Sequence, residues 1–190
     1  MILKNKTLIL GSKSPRRKEL LEGLGVDFII RTKDTDESFP SSLPSSEVAQ
    51  FIALKKAEAL KNDLSLNEVV LCSDTVVIID DRILGKPADV NDAKSMLKLL
   101  SGRTHKVITG VVITSINKTV VFDVTTNVTF KTLSDKEILF YIENFKPFDK
   151  AGGYGIQEWI GYIGVVSLEG SYFNVVGLPT HEVYQALLEF

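Results

Sequence analysis

The sequence has little of what disulfide-rich, membrane or nucleic-acid-binding proteins require. Its one cysteine, Cys72, lies within an apolar run, which excludes a disulfide framework and favours a reducing compartment. No apolar run approaches the roughly 18 residues of a membrane-spanning helix, and the apolar start of the chain is too short for a secretion signal. The formal net charge of −2 supplies no basic field for nucleic acid. We therefore expect a cytoplasmic protein with neither membrane nor nucleic-acid partners.

Several catalytic classes are also disfavoured. The two histidines, His105 and His181, lie far apart and have no partner at metal-ligand spacing. The sequence contains neither the G-x-S-x-G motif of serine hydrolases nor the G-x-x-x-x-G-K-[ST] phosphate loop. Cys72 in a predicted core strand is a poor nucleophile. Because the net charge is −2, any phosphate recognition must come from a local arrangement of cations.

The hydrophobic pattern predicts an α/β fold with a mixed sheet in a single domain over residues 1–190. An Asp80-Asp81 hairpin tip should turn the chain into a short return strand. The predicted strands are Thr7–Leu10, Val26–Arg31, Val69–Ile79, Lys106–Ser115 and Lys118–Lys131, with a last pair formed by Tyr162–Leu168 and Tyr172–Val176. Helices are predicted from Pro15, over Glu47–Leu60 and Asn91–Leu100, from Ser134, and over Pro179–Phe190.

Helix starts carry recognisable capping residues. Ser14 precedes Pro15 and is the expected N-cap of the first helix. Ser134 with Glu137 forms a capping-box pattern, S-x-x-E. For the helix over Glu47–Leu60 the candidate caps are Ser45 and Ser46. Several element boundaries are therefore predictable from local chemistry.

Asp74 interrupts the most apolar strand pattern in the chain, VVLCSDTVVII. A carboxylate in such a strand costs several kcal/mol unless it is paired or bound to a metal. Asp74 is either a structural residue bonded to a neighbouring loop, or a general base or metal ligand at a polar strand end.

Lys56 is the second exception to the apolar pattern. On a helix, i, i+4 spacing places Val48, Ile52, Lys56 and Leu60 in one row, and only Lys56 is charged. It is either a lysine that extends to solvent at the edge of the row, or a cation directed into a site. Its neighbour Lys55 has no such conflict and is predicted to be solvated.

The segment LGSKSPRRK joins a predicted strand to a predicted helix. Such a junction favours anions because helix N-termini present free N–H groups. Ser12 and Ser14 add hydroxyls, while Arg16 and Arg17 point about 100° apart and could flank one ligand. A solvated basic turn is the alternative.

Three further segments are compatible with a phosphate site but do not prove one. Glu37 lies in an acidic loop that could equally be hydrated surface. Lys86 is held extended by Pro87, which suits a fixed cation. The segment DKAGGYGIQ, residues 149–157, contains three glycines that would let the backbone approach a ligand closely.

Taken together, these segments resemble the Maf family of nucleoside triphosphate pyrophosphatases. The matching segments follow the family's order and cover nearly the whole chain. They are Ser12–Leu21 (S-x-S-P-R-R-x-E-L-L), Asp36–Ser38 (D-E-S), Lys56-Ala57, Ser73–Val77 (S-D-T-V-V), Gly85–Pro87 (G-K-P), Leu100–Gly110, Asp149–Gln157 and Gly170–Pro179. Two departures are Gly11 in place of the usual alanine and Glu158-Trp159 in place of a glycine-rich continuation.

The resemblance implies hydrolysis of a nucleoside triphosphate to a monophosphate and pyrophosphate, with a divalent cation, Mg²⁺ or Mn²⁺. It implies an elongated mixed sheet flanked by helices, two lobes with a central cleft, and often a homodimer. Asp74 would be the proton acceptor and, with Glu37, a metal ligand. The triphosphate would be bound by four cations, Arg16, Arg17, Lys56 and Lys86.

The segment G-Y-G-I-Q resembles the dTTP/UTP branch of that family. By this resemblance Arg16, Thr75 and Gln157 would set the preference for pyrimidines, and the Gln157 amide could pair with the O4 and N3–H edge of uracil or thymine. The family resemblance also implies a house-cleaning role linked to cell-division arrest. The alternatives are a 7-methyl-GTP pyrophosphatase and a nucleotide-binding regulator of septum formation with little catalysis.

Overall fold

The computed structural model describes Leu3 and residues 5–190. It contains a mixed seven-stranded β-sheet flanked by helices, which confirms the predicted α/β class. The strands are β1 (Thr7–Leu10), β2 (Phe28–Ile30), β3 (Glu68–Ile79), β4 (Arg82–Leu84), β5 (Thr104–Thr114), β6 (Thr119–Phe130) and β7 (Val165–Glu169). The helices are α1 (Pro15–Gly23), α2 (Val48–Lys61), α3 (Val90–Leu100), α4 (Asp135–Phe145), α5 (Trp159–Gly164), α6 (Tyr172–Val176) and α7 (Thr180–Leu187).

The strand order is β2-β1-β3-β5-β6-β7, with β4 paired to β3. β1 runs parallel to β2 and β3, whereas β4 is antiparallel to β3 and β7 is antiparallel to β6. Parallel pairing requires crossover connections, and α1 and α2 supply them. No helix in the described part of the chain has the length and apolar character needed to cross a membrane.

The chain divides into two compact units. The first comprises Met1–Asp74, Thr109–Val124 and Gly177–Phe190, and the second Thr75–Ile108 and Thr125–Val176. In the first unit, one apolar cluster includes Leu8, Leu10 and Val183, and another packs α2 against Ile9 and Val70. The core of the second unit joins α3, α4 and α5 to the adjoining strand segments. The prediction of a single domain stays a prediction.

Local chemistry explains several element boundaries that were predicted correctly. The Ser14 hydroxyl accepts from the Arg17 N–H at the start of α1, and Ser134 and Glu137 form the expected capping box at α4. Asp80 and Asp81 have φ values of 49° and 60° in the hairpin between β3 and β4. Both values suit a type I′ turn, in which aspartate is tolerated.

Other local predictions were wrong. Tyr172–Val176 is helix α6 and not a strand, so β7 pairs with β6 instead. The Ser171 hydroxyl accepts from the Asn174 N–H at the start of α6, and the buried Asn174 amide donates to Val107 O. These contacts outweigh the β propensity of the two valines.

A short 3₁₀ turn precedes α2, and no side-chain cap bond was found there for Ser45 or Ser46 within the described residues.

Candidate active site

Asp74 lies in the middle of β3 rather than at a strand end, within a polar triplet, Ser73–Thr75, that buried residues flank on both sides. Its side chain is 15% exposed, and its Oδ1 lies 2.7 Å from Lys56 Nζ. The Lys56 side chain is 16% exposed. Lys56 and Asp74, the two exceptions to the apolar pattern, are therefore partners. Their pairing offsets the cost of removing both charges from water.

The same ammonium group contacts a second carboxylate. Lys56 Nζ lies 2.7 Å from Glu37 Oε1, and the Glu37 side chain is half-exposed. α2 directs Lys56 from its buried face, and the loop before α2 brings Glu37 to it. Two carboxylates and one ammonium therefore form a compact charged cluster at the strand.

The Asp36–Ser38 segment is a tight turn docked on α2. Asp36 accepts from the Ser38 N–H at 2.9 Å and from the Ser38 hydroxyl, and these bonds lower the pKa of its exposed carboxyl group. Lys55 Nζ donates to Ser38 O at 3.0 Å and contacts Asp36 Oδ2 at 3.4 Å. Lys55 is therefore bound to this loop and not simply solvated, and it helps to place Glu37. In the sequence, only the position of Lys55 beside Lys56 indicated this role.

Arg17 is held at the opening of α1 by side chain and backbone contacts. Its Nε donates to the carbonyl oxygen of Gly177 at 2.9 Å, and its Nη1 donates to Ser12 Oγ at 3.4 Å. Burial lowers the pKa of Arg17, while Asp74 acts in the opposite direction. The guanidinium group is thus oriented before any ligand arrives.

The other residues of the predicted anion junction surround Arg17. The Ser12 hydroxyl is buried and accepts from the Ser14 N–H at 3.2 Å. Arg16 is half-buried, and its charge contributes to lowering the Arg17 pKa. The first unit therefore contains Ser12, Ser14, Arg16 and Arg17 as well as the cluster of Lys56, Asp74 and Glu37. The two groups interact, because the charge of Asp74 acts to raise the pKa of Arg17, against the effect of burial.

The remaining predicted residues belong to the second unit. Thr75 follows Asp74 in β3 and is half-buried. Lys86 is exposed, and no ion-pair partner for it was found among the described residues. Gly85, next to it, accepts from the Gly152 N–H at 3.0 Å, so the turn carrying Lys86 is attached to the glycine-rich loop.

Gln157 ends the glycine-rich loop and directs an acceptor inward. Its Oε1 is buried, and no hydrogen-bond partner for it was found in the described part of the chain. A buried acceptor without a partner costs free energy, and a donor on a ligand would offset that cost. Near it, Lys150, Glu158 and Tyr141 form a hydrogen-bonded network that the sequence did not signal.

The oxygen donors of the charged cluster fit a hard divalent cation in part. Glu37 and Asp74 supply two carboxylates, and Mg²⁺ commonly binds one or two carboxylates together with phosphate oxygens and water. Among Leu3 and residues 5–190, no group of three or more histidine, cysteine, aspartate or glutamate side chains is arranged to hold a metal. The residues present therefore suit a metal that arrives with a phosphate ligand.

A family model described as Maf-like protein matches residues 7–190. A dTTP/UTP pyrophosphatase from Flavobacterium psychrophilum is 50% identical over 184 residues, which cover 97% of this chain and 94% of the relative. A dTTP/UTP pyrophosphatase from Parabacteroides distasonis is 49% identical over 189 residues, covering 99% and 98%. Both alignments cover nearly the full length of this chain and of the relative.

Among solved structures, a HAM1 protein from Coxiella burnetii has a TM-score of 0.52 and covers 97% of this chain and 100% of its own. The two sequences are 16% identical, so the likeness concerns the fold alone.

Proposed function

The chain belongs to the Maf-like family, whose model matches residues 7–190, and from this premise we propose that it is a nucleoside triphosphate pyrophosphatase. The proposed reaction hydrolyses dTTP and UTP to the monophosphate and pyrophosphate. Relatives about as long as this chain and about half identical to it carry the name dTTP/UTP pyrophosphatase, which supports this choice of substrate.

One structural observation carries the proposal: the Lys56 ammonium is 2.7 Å from both Asp74 and Glu37. Hydrolysis of a phosphate chain depends mainly on neutralising oxygen charge and orienting water. A carboxylate held by a lysine, with the oriented Arg17 in the same unit, meets both needs.

In the proposed mechanism, the cations of this chain bind the triphosphate. Arg17 and Lys56 neutralise phosphate oxygens, with Arg16 beside them and Lys86 as a further cation. The hydroxyls of Ser12 and Ser14 add donors at the opening of α1. Charge that develops on the leaving pyrophosphate is then already opposed by fixed positive groups.

Asp74 is the proposed proton acceptor. Lys56 holds its Oδ1, so the second oxygen of the carboxylate can accept a proton from the attacking water. The water oxygen forms a bond to the α phosphorus while the bond from that phosphorus to the α–β bridging oxygen breaks, and the pyrophosphate leaves with its oxygens paired to cations. The attacking water is the only group from which the protein has to remove a proton.

We also propose that the reaction depends on Mg²⁺ or Mn²⁺. Glu37 and Asp74 would hold the cation, which would supply positive charge to the phosphate oxygens when bound. The half-exposed Glu37 supports this role because solvent reaches its side chain, and a metal bound to phosphate would enter from solvent.

Base preference is assigned to Arg16, Thr75 and Gln157. The buried Oε1 of Gln157 supports this assignment, since it can accept from N3–H of uracil or thymine.

A cytoplasmic location is proposed because Cys72 is a free, buried thiol. A homodimer is also proposed, and exposed apolar side chains such as Tyr162 and Val166 are compatible with it.

Asp74→Asn tests the catalytic assignment. This variant keeps the size and most of the packing of the side chain but removes the proton acceptor. We expect pyrophosphate release from dTTP and UTP to fall by about 10²–10⁴-fold while the fold and nucleotide binding persist. Asp63→Asn, which alters an exposed carboxylate paired with Lys33, is the matched control and should keep wild-type turnover. Full turnover in a folded Asp74→Asn variant would contradict the proposal.

Substrate choice is measured by comparing kcat/KM for dTTP, UTP, CTP and 7-methyl-GTP with Mg²⁺ or Mn²⁺. We expect dTTP and UTP to be preferred, and a chelator to abolish turnover reversibly. Preference for 7-methyl-GTP would keep the chemistry and change the base assignment. Binding of nucleotide without pyrophosphate release would instead support a purely regulatory protein.

A further inference from the structure

An ion pair between Lys150, near the start of the glycine-rich loop, and Glu158, directly after it, closes this loop. Lys150 Nζ lies 3.1 Å from Glu158 Oε1 and 2.7 Å from Asp149 Oδ1. The Lys150 side chain is 10% exposed and the Glu158 side chain 20%. Lys150 is therefore engaged inside the second unit, and a buried pair of this kind restrains the segment between its members.

Tyr141, from α4, ties the same loop to the core. Its hydroxyl donates to Glu158 Oε2 and accepts from the Gly155 N–H at 2.9 Å. The tyrosine is fully buried, and burial raises its pKa, so the hydroxyl stays protonated and remains a donor. One side chain thus fixes both the middle and the end of the loop.

Close packing reinforces these bonds. A Cβ atom at Gly155 would lie 2.9 Å from Glu158 Cδ and 3.1 Å from Lys150 Cε. The ion pair therefore rests directly on the Gly155 backbone, and a larger residue there would displace the two side chains that form it. The Glu158 N–H also donates to the Gly155 carbonyl oxygen at 3.0 Å.

Gln157 lies between these two restrained positions. The Gly155 backbone before it is bonded to Tyr141, and Glu158 after it is bonded to Tyr141 and Lys150. Its Oε1 is enclosed and faces no hydrogen-bond partner among the described residues. The restrained backbone on either side thus fixes the point from which the Gln157 side chain extends.

We propose that Glu158, with Lys150 and Tyr141, is a positioning residue that fixes the Gln157 amide and thereby discriminates uracil and thymine from cytosine. The proposal rests on the proposed function. Uracil and thymine present an O4 acceptor beside an N3–H donor, whereas cytosine presents an N4 donor beside an N3 acceptor. An amide held in one orientation matches the first pair, and an amide that can turn over accepts both.

Glu158→Ala and Tyr141→Phe test this role. Each removes part of the network without touching Gln157. We expect the ratio of kcat/KM for UTP to that for CTP to fall by about threefold to tenfold, the scale of one misplaced hydrogen bond. The UTP value should fall mainly through a higher KM. Glu158→Gln, which keeps an oxygen acceptor for the Tyr141 hydroxyl, should retain more discrimination than Glu158→Ala.

Glu143→Ala, which removes an exposed carboxylate from the same helix as Tyr141, is the matched control and should leave the ratio unchanged. Thermal unfolding of each variant reports whether the fold is kept, and Tyr141→Phe carries the test alone if Glu158→Ala does not fold. An unchanged ratio in both variants would overturn the inference. A wild-type protein that hydrolyses UTP and CTP equally would overturn it too and leave the proposed function intact, whereas a wild type inactive on both dTTP and UTP would refute the proposed function itself.

Discussion

His105 lies in the core of the second unit, 2% exposed, with its Nε2 2.7 Å from the Tyr154 hydroxyl. Its ring also packs against Phe130, with centroids 5.4 Å apart. Burial lowers the pKa of His105 to about 4, so the imidazole is neutral in the folded protein at neutral pH. His105 has no partner at metal-ligand spacing in the sequence, which favours a structural role, and the structure makes it part of the core.

The stability of the protein should therefore fall as the pH is lowered from 7.5 to 5. The unfolded state takes up a proton near pH 6.5 and the folded state near pH 4, so protonation in this range favours unfolding. The loss by pH 5 should be about 2 kcal/mol in the free energy of unfolding, measured with urea.

In His105→Gln this component of the pH dependence should vanish, although the variant is less stable at pH 7.5. His181→Gln, which replaces an exposed histidine, should keep it. Equal pH dependence in wild type and His105→Gln would contradict the assignment.

At the scale of elements, the contact between α2 and β5 determines where Lys56 lies. A Cβ atom at Gly110 in β5 would overlap the backbone of Gln50 and Ala49 in α2. The helix therefore approaches the strand backbone directly, and small residues of α2, Ala53 and Ala57, are buried beside it. With α2 in this position, Lys56 Nζ lies 2.7 Å from Asp74 Oδ1.

Gly110→Ala should displace α2 and weaken the Lys56–Asp74 contact. We expect overpacking to destabilise the protein by about 1–3 kcal/mol and turnover of UTP to decrease together with it. Gly23→Ala is the control, because a Cβ atom there meets nothing within 4 Å and alanine favours helix. Thermal unfolding and pyrophosphate release measure both effects. Wild-type turnover in Gly110→Ala would show that the helix position is not limiting.

At the scale of the whole molecule, β3, β5 and β6 each supply residues to both compact units. Unfolding one unit would therefore disrupt strands that continue into the other. We propose that the chain unfolds as a single domain. Calorimetry should show one transition whose calorimetric enthalpy equals the van't Hoff enthalpy. Two resolved transitions would instead identify the units as separate domains.

Much of the fold could be predicted because its signals are local. The apolar run of β1, the Ser14 cap, the Ser134 capping box and the Asp80-Asp81 turn each depend on residues a few positions apart. Helix α6 was missed because the hydrogen bond from Asn174 to distant backbone outweighs the β propensity of the two valines in the segment. Local chemistry predicts an element well only where no distant contact competes with it.

The sequence by itself determined the α/β class and the charge balance. It also identified the unusual residues, because Asp74 and Lys56 each break an apolar pattern. Only the tertiary structure decided that Lys56 is shared by Asp74 and Glu37, that Lys55 holds the Glu37 loop, and that Glu158 closes the loop of Gln157. Periodicity reveals which face of an element a residue occupies. The partner across that face is determined by how elements distant in sequence pack, and a single sequence does not record that packing directly.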